Sequence, residues 1–180
     1  MNSTAGIINQ AIEGSKEALL ALYDENYTYV FQAVYRLIGN KMDAEDIAHD
    51  AFLDAFDKLK SLKDESKFRW WVKRIAINKT LESFRGPKKI QLDFDIQEPT
   101  FSPEETSDWE YFSTEQIIKA LDFLPDGYKV VLTLYLFEDM SHDEIGAKLG
   151  IKESASRSQL SRAKVKLKSL LEESYGRVEK

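Results

Sequence analysis

A chain of 180 residues, 43% hydrophobic and 31% charged, has the composition of one folded domain or two small ones. Having no cysteine, it excludes disulfide scaffolds, thiolate zinc sites and cysteine nucleophiles, and no apolar run approaches the ~18 residues of a membrane span. The net charge of −6 is unevenly divided: residues 1–85 carry 12 basic and 13 acidic groups, 86–112 carry 2 and 7, and 113–180 carry 11 of each.

At the amino terminus, MNSTAGIINQAIEGSKE lacks the basic segment of a signal peptide, and Ile7, Ile8, Ala11 and Ile12 are spaced as a helix face. The expectation is a cytoplasmic chain with no membrane insertion. Ser15 is placed to cap a helix that carries Leu19, Leu22, Tyr23, Tyr27, Val30, Phe31, Val34, Tyr35 and Leu37 and stops at Gly39-Asn40. Asp43 begins the next helix. Ala48, Phe52, Ala55, Phe56 and Leu59 form its apolar stripe, while Asp46, Asp50, Asp54 and Asp57 form a carboxylate ridge facing outward.

A third helix, Ser66 to Arg85, inverts the charge, with eight basic residues between Lys67 and Lys89 against Glu82 alone. Phe68, Trp71, Val72 and Ile75 fall on one side, and Trp70, Ile77, Leu81 and Phe84 almost opposite. Two readings follow. The helix is packed all round as the centre of a small domain, or its aromatic and basic groups meet single-stranded nucleic acid, where bases stack and phosphates pair.

Lys88 to Ser113 contains Pro99, Pro103 and five carboxylates between Asp93 and Glu105, which reads as a linker between two helical domains. Trp109, Tyr111 and Phe112 at its end are expected to dock onto the second domain. Further on, Ser141 and Glu144 form a capping box, Ile145 and Leu149 share a helix face, and Gly150 supplies a turn residue. From Lys152 to Lys168 six basic residues oppose Glu153 alone. This is either a helical hairpin with a solvated basic face or a helix-turn-helix whose second helix enters a major groove. Gly146 stands where alanine is common and Ser156 where an apolar residue is usual, so Ala155 and Leu160 are expected to carry more of the helix contact.

Catalytic chemistry finds little support. Asp46 and His49 have the i, i+3 spacing of a helical metal-ligand pair, but the other histidine, His142, lies in the second domain. No glycine-rich phosphate loop or Ser-His-Asp arrangement is present. Neither a metal nor a cofactor is expected, and the chain is not expected to be an enzyme.

Ala18-Leu19 with Leu22-Tyr23, Asp43-Ala44-Glu45-Asp46, Phe52, Phe68-Arg69, Trp71-Val72, Ile75-Ala76, Asn78 and Arg85 carry a resemblance in the first half. Leu124-Pro125, Tyr135, Ser141, Glu144-Ile145, Leu149-Gly150-Ile151, Arg157-Ser158, Leu160, Arg162 and Ala163 continue it in the second. Together they resemble the sigma-70 family of bacterial RNA polymerase initiation factors, specifically the extracytoplasmic-function group. The resemblance implies an all-α fold of two small helical domains, like sigma regions two and four, at 1–87 and 113–180, joined by an acidic linker at 88–112.

It implies docking of Asp46, His49 and Asp50 on the clamp helices of the largest polymerase subunit, with His49 where the family usually has glutamine. The loop Leu59 to Glu65 would hold a flipped base of the minus-ten element, with Trp70, Lys73, Arg74, Asn78, Lys79 and Arg85 following the strand. Helices over Thr114–Phe123 and Tyr128–Phe137, turning at Pro125-Asp126-Gly127, would dock on the flap of the second-largest subunit. Arg157, Ser158, Gln159 and Ser161 would reach base edges of the minus-thirty-five element, and Arg162 and Lys164 its phosphates. The implied partners are bacterial RNA polymerase core, promoter DNA and an anti-sigma factor.

Overall fold

The structure is a computed structural model and describes residues 4–84 and 111–176. Contacts divide the chain into two compact units, residues 1–88 and 89–180. The described residues form eight α-helices and no strand. Arg85, Lys88, Lys89, Trp109 and most of the expected linker lie outside them.

In the first unit α1 (Thr4–Ile12), α2 (Lys16–Ile38), α3 (Lys41–Asp57) and α4 (Phe68–Ser83) surround one core. Each boundary has a local cause. The Ser15 hydroxyl accepts from Ala18 N–H at 3.2 Å, and Gly39 closes α2 at φ 73°, a left-handed conformation that favours glycine. Asn40, not Asp43, starts α3. Its Oδ1 accepts from Met42 and Asp43 N–H at 2.9 and 3.3 Å, so the stop of one helix and the start of the next are adjacent residues. α2, α3 and α4 pack on one another and bury Leu22, Val30, Val34, Ala48, Phe52, Phe68, Val72 and Ala76.

Between α3 and α4 the chain makes two single turns of 3-10 helix, Leu59–Ser61 and Glu65–Lys67. The second occupies what looked like the first turn of the third helix. The two sides of α4 are resolved by depth: Phe68, Val72, Ile77, Thr80, Leu81 and Phe84 are all buried, whereas Trp70 is 58% exposed. The helix is central, and one of its aromatics is not part of the core.

The second unit contains α5 (Thr114–Leu121), α6 (Asp126–Leu136), α7 (His142–Leu149) and α8 (Glu153–Tyr175). Ser113 and Gln116 make a capping box for α5, as Ser141 and Glu144 do for α7. Asp126 and Gly127 belong to α6 rather than to a turn, with Pro125 as its N-cap residue. Tyr111 is 64% exposed rather than docked. α8 buries Ser156, Gln159, Leu160, Ala163, Leu167 and Leu171, a stripe at helical spacing against α6 and α7. Leu160 is buried as expected, while Ala155 is only half-buried.

The reason for a glycine at 146 lies in this turn. A Cβ at this position would lie 2.7 Å from the Ile151 carbonyl oxygen, and the Gly146 carbonyl itself accepts from Ile151 N–H at 3.0 Å. The turn between α7 and α8 closes against a bare backbone. Gly146→Ala is therefore expected to lower the stability of this unit by about 1–3 kcal/mol, the usual range for overpacking. Denaturant unfolding of the full chain, followed through α5–α8, checks it, with the α1–α4 transition unmoved.

Candidate functional site

Asp46, His49 and Asp50 are exposed on α3, one helical turn apart. His49 leans on α2, its ring 5.5 Å from the rings of both Tyr23 and Tyr27. Its Nδ1 shares a 3.1 Å hydrogen bond with the Tyr23 hydroxyl. The two tyrosines begin a ladder along α2 through Phe31 to Tyr35, with centroids 5.1, 5.9 and 5.8 Å apart. Burial raises the pKa of both tyrosines, helped at Tyr23 by Tyr27 and then Asp24 and Glu45, and at Tyr27 by Glu45, so their hydroxyls stay protonated. The result is a firm acidic ridge with one aromatic-backed imidazole.

Asp54 leaves that ridge. Its carboxylate meets Lys79 Nζ of α4 at 3.0 Å, an interaction that lowers its pKa. The same pairing ties α3 to α4 through Lys79, whose side chain is 27% exposed.

A cleft of about 440 Å³ lies beside the start of α4, lined by Ser61, Leu62, Lys63, Asp64, Lys67, Trp70, Trp71 and Arg74. Its one carboxylate is already engaged. Asp64 accepts from the Ser66 hydroxyl at 2.6 Å and from its N–H at 3.1 Å, and pairs with Lys67 at 3.4 Å. What remains is an apolar and aromatic hollow with a cationic rim, a combination suited to an unpaired base and its phosphate. Trp70 and Arg74 of the expected set meet here. Lys73 faces elsewhere, 5.5 Å from the Tyr29 ring, over which Arg69 sits at 3.9 Å. Asn78 is half-buried. Arg85 lies outside the described residues. The cleft also brings in Trp71 and Lys67, which were not singled out as site residues, and Lys63, which falls within the expected loop Leu59 to Glu65.

On α8, Arg157 is exposed and held by Glu153, with Nε 3.0 Å from Oε1. Ser158, Ser161, Arg162 and Lys164 are half-buried at the surface. Gln159 is a correction: it is 1% exposed and its Oε1 has no hydrogen-bond partner. Three residues after Ser156 and four before Ala163, it belongs to the packing stripe and cannot reach a base edge.

Ser156, fully buried, shares a 2.9 Å hydrogen bond with His142 Nδ1, and the His142 ring stacks on Tyr135 at 4.8 Å. A polar tie thus joins the first residue of α7 to α8 where an apolar contact is usual. The second unit carries an α7-turn-α8 pair with a basic second helix, the arrangement of a helix-turn-helix DNA-binding protein, and a separate helical unit carries an aromatic, cation-rimmed cleft and an acidic ridge. Residues 22–89 match the family Sigma-70 region 2 and residues 114–167 match Sigma-70, region 4. The chain belongs to the sigma-70 family, in its extracytoplasmic-function (ECF) group.

Among its relatives is the ECF RNA polymerase sigma factor SigW of Bacillus subtilis, 28% identical, with 91% of this chain and 94% of that protein covered. Another is the ECF RNA polymerase sigma factor SigE of Mycolicibacterium smegmatis, 29% identical, covering 79% of this chain and 57% of that one. In fold the chain resembles the sigma factor RpoE of Bartonella quintana, solved with the anti-sigma factor NepR. That match has a TM-score of 0.50 and 20% identity over 87% of this chain and 96% of that one.

The His142 tie has a pH signature. Burial first, then Arg157 and Lys164, hold the His142 pKa below the ordinary histidine value, with Glu153 opposing. The unfolded chain then binds a proton more readily than the folded one, so stability is full above the unfolded pKa and falls as pH drops below about 6.5. The α5–α8 transition of the full chain is expected to melt earlier near pH 5 than near pH 8. His142→Gln, which keeps a hydrogen-bonding group without the titration, is expected to shrink that difference.

Proposed function

We propose that this chain directs bacterial RNA polymerase core to specific promoters and initiates DNA-templated transcription there, acting by binding rather than by making or breaking bonds, in the cytoplasm. The observation that carries the reading is the order of the two family matches, region 2 and then region 4, each on its own compact unit. Among the described residues no helix is long and apolar enough to cross a membrane.

Within it we assign roles by position. The region 2 unit takes residues 1–87 and the region 4 unit 113–180, with 88–112 between them. Asp46, His49 and Asp50 dock on the clamp helices of the largest subunit, where an exposed acidic ridge suits a basic partner. The cleft holds a base flipped from the minus-ten element, Trp70 stacks a neighbouring base, and Arg74 with Lys63 and Lys67 faces the phosphates. Asn78 and Lys73 lie further along the strand. On α8, Arg157, Ser158 and Ser161 read the minus-thirty-five element, while Arg162 and Lys164 meet its backbone. The α5–α6 platform docks on the flap of the second-largest subunit. An anti-sigma factor, the kind of partner seen with the Bartonella protein, would hold the chain inactive by covering its polymerase-facing surfaces.

Run-off transcription with purified core polymerase on a set of genomic promoters tests this. The intact chain is expected to give transcripts from defined start sites, and Asp50→Arg to abolish them together with polymerase binding. Trp70→Ala is expected to keep polymerase binding but lower promoter opening by about five- to a hundredfold, the worth of ~1–3 kcal/mol of stacking. A chain that gives no transcripts yet still shifts a specific duplex without polymerase would instead be a stand-alone regulator.

A further inference from the structure

The cleft beside Trp70 is built on segments too short to hold their own shape. The stretch 59–67 consists of two single 3-10 turns, closed by Leu62 N–H to Leu59 C=O at 3.1 Å and Lys67 N–H to Asp64 C=O at 3.0 Å. Such turns have poor hydrogen-bond geometry, so their position is set by what they pack against. α1 packs on both of them, and on α2.

The contact is apolar and continuous. Ile8 is fully buried and Ala11 nearly so, in the same core cluster as Leu59 and Phe68. Ile7 and Ile12 of α1 pack at the edge of that cluster together with Leu62 and Trp71, and those two side chains also line the cleft. A turn at Gly14, φ 95°, holds α1 against α2, closed by Gly14 N–H to Ala11 C=O and Ser15 N–H to Gln10 C=O, each 3.0 Å. This helix lies outside the residues matched to Sigma-70 region 2, which begin at 22.

We propose that α1 is a positioning element for the cleft, with Ile8 as its anchor: it fixes the shape in which the 59–67 loop captures an unpaired base, and so controls promoter opening rather than polymerase docking. The inference rests on the sigma reading above. Its physical basis is preorganisation, since a loop already held in its binding shape loses less freedom when the base enters.

The test uses the full chain with Ile8→Ala, the milder Ile8→Val, and Asn9→Ala at an exposed α1 position as control. Three quantities are measured: affinity for core polymerase, permanganate reactivity of the minus-ten region on duplex and on pre-opened promoters, and amide exchange along the first unit. Ile8→Ala is expected to keep polymerase affinity within about twofold, to slow opening of the duplex about tenfold with recovery on the pre-opened template, and to speed exchange in 59–67 ahead of α3. Ile8→Val is expected to fall between this and the parent, because it removes only one methyl group.

The proposal is overturned if duplex opening is unchanged in Ile8→Ala. It is equally overturned if opening and polymerase affinity fall in step with uniformly faster exchange, which marks plain loss of folded protein. Absence of any opening by the unmodified chain with polymerase would instead sink the sigma reading on which the proposal rests.

Discussion

α4 has to be held on two sides while one end of it stays open, and the first unit is organised around that demand. Phe68, Val72 and Ala76 enter the core shared with α2 and α3, and Ile77, Leu81 and Phe84 are buried further along. Two polar groups on the helix are absorbed by the packing. The Thr80 hydroxyl donates to the Ala76 carbonyl at 2.8 Å, and Lys79 is matched by Asp54. Trp70, 58% exposed, stands out near the amino-terminal end of this helix. A single exposed aromatic is ordinary on a protein surface; what sets Trp70 apart is its place in the lining of the cleft, where its ring offers a face on which a base can stack.

The second unit meets a related demand with polar groups inside its packing stripe. The buried stripe of α8 is apolar at Leu160, Ala163, Leu167 and Leu171 but polar at Ser156 and Gln159, near its start. A buried polar group without a partner costs on the order of 1–3 kcal/mol, and His142 relieves that cost for Ser156. Gln159 keeps an unpartnered oxygen. The end of α8 that we assign to base reading is therefore fixed by a directional bond and by the bare turn at Gly146, while its later turns are fixed by oily contact.

What could be read from the sequence was what local chemistry decides. Ser15, Gly39, the Ser141–Glu144 box and Gly150 each set a helix end through their own backbone and side chain, and each stands where it was expected. Helical period likewise showed which residues share a face. It did not show what a face meets. Asp54 and Lys79 read as members of an acidic ridge and a basic strand-binding face, and only α3 and α4 set side by side show that they pair. Gln159 looks like a reader of adenine because its type suits that role, and only the packing of α8 shows it pointing inward. The helix expected to begin at Asp43 begins at Lys41, because Gly39 ends α2 and the next residue, Asn40, caps α3. The cleft was legible only as a loop before a helix, since its walls come from both sides of two short turns.

The charge balance fits this division of labour. Segments 1–85 and 113–180 are each within one unit of neutrality, so neither is drawn to DNA by bulk attraction. Several of the cations nearest the assigned DNA surfaces are already matched by carboxylates: Lys67 by Asp64, Lys79 by Asp54 and Arg157 by Glu153. The Lys67 and Arg157 pairs are exposed and worth little by themselves, so these cations are free to exchange a carboxylate for a DNA group, and each phosphate contact made in that way adds about 0.9 to the slope of log affinity against log salt. Weak interactions on one chain combine when a third body fixes their spacing, because the second then forms at high effective concentration. A factor with strong separate grips on DNA would occupy it without polymerase and lead it nowhere. On the proposed reading, two near-neutral units on one chain would make promoter binding depend on assembly with polymerase first.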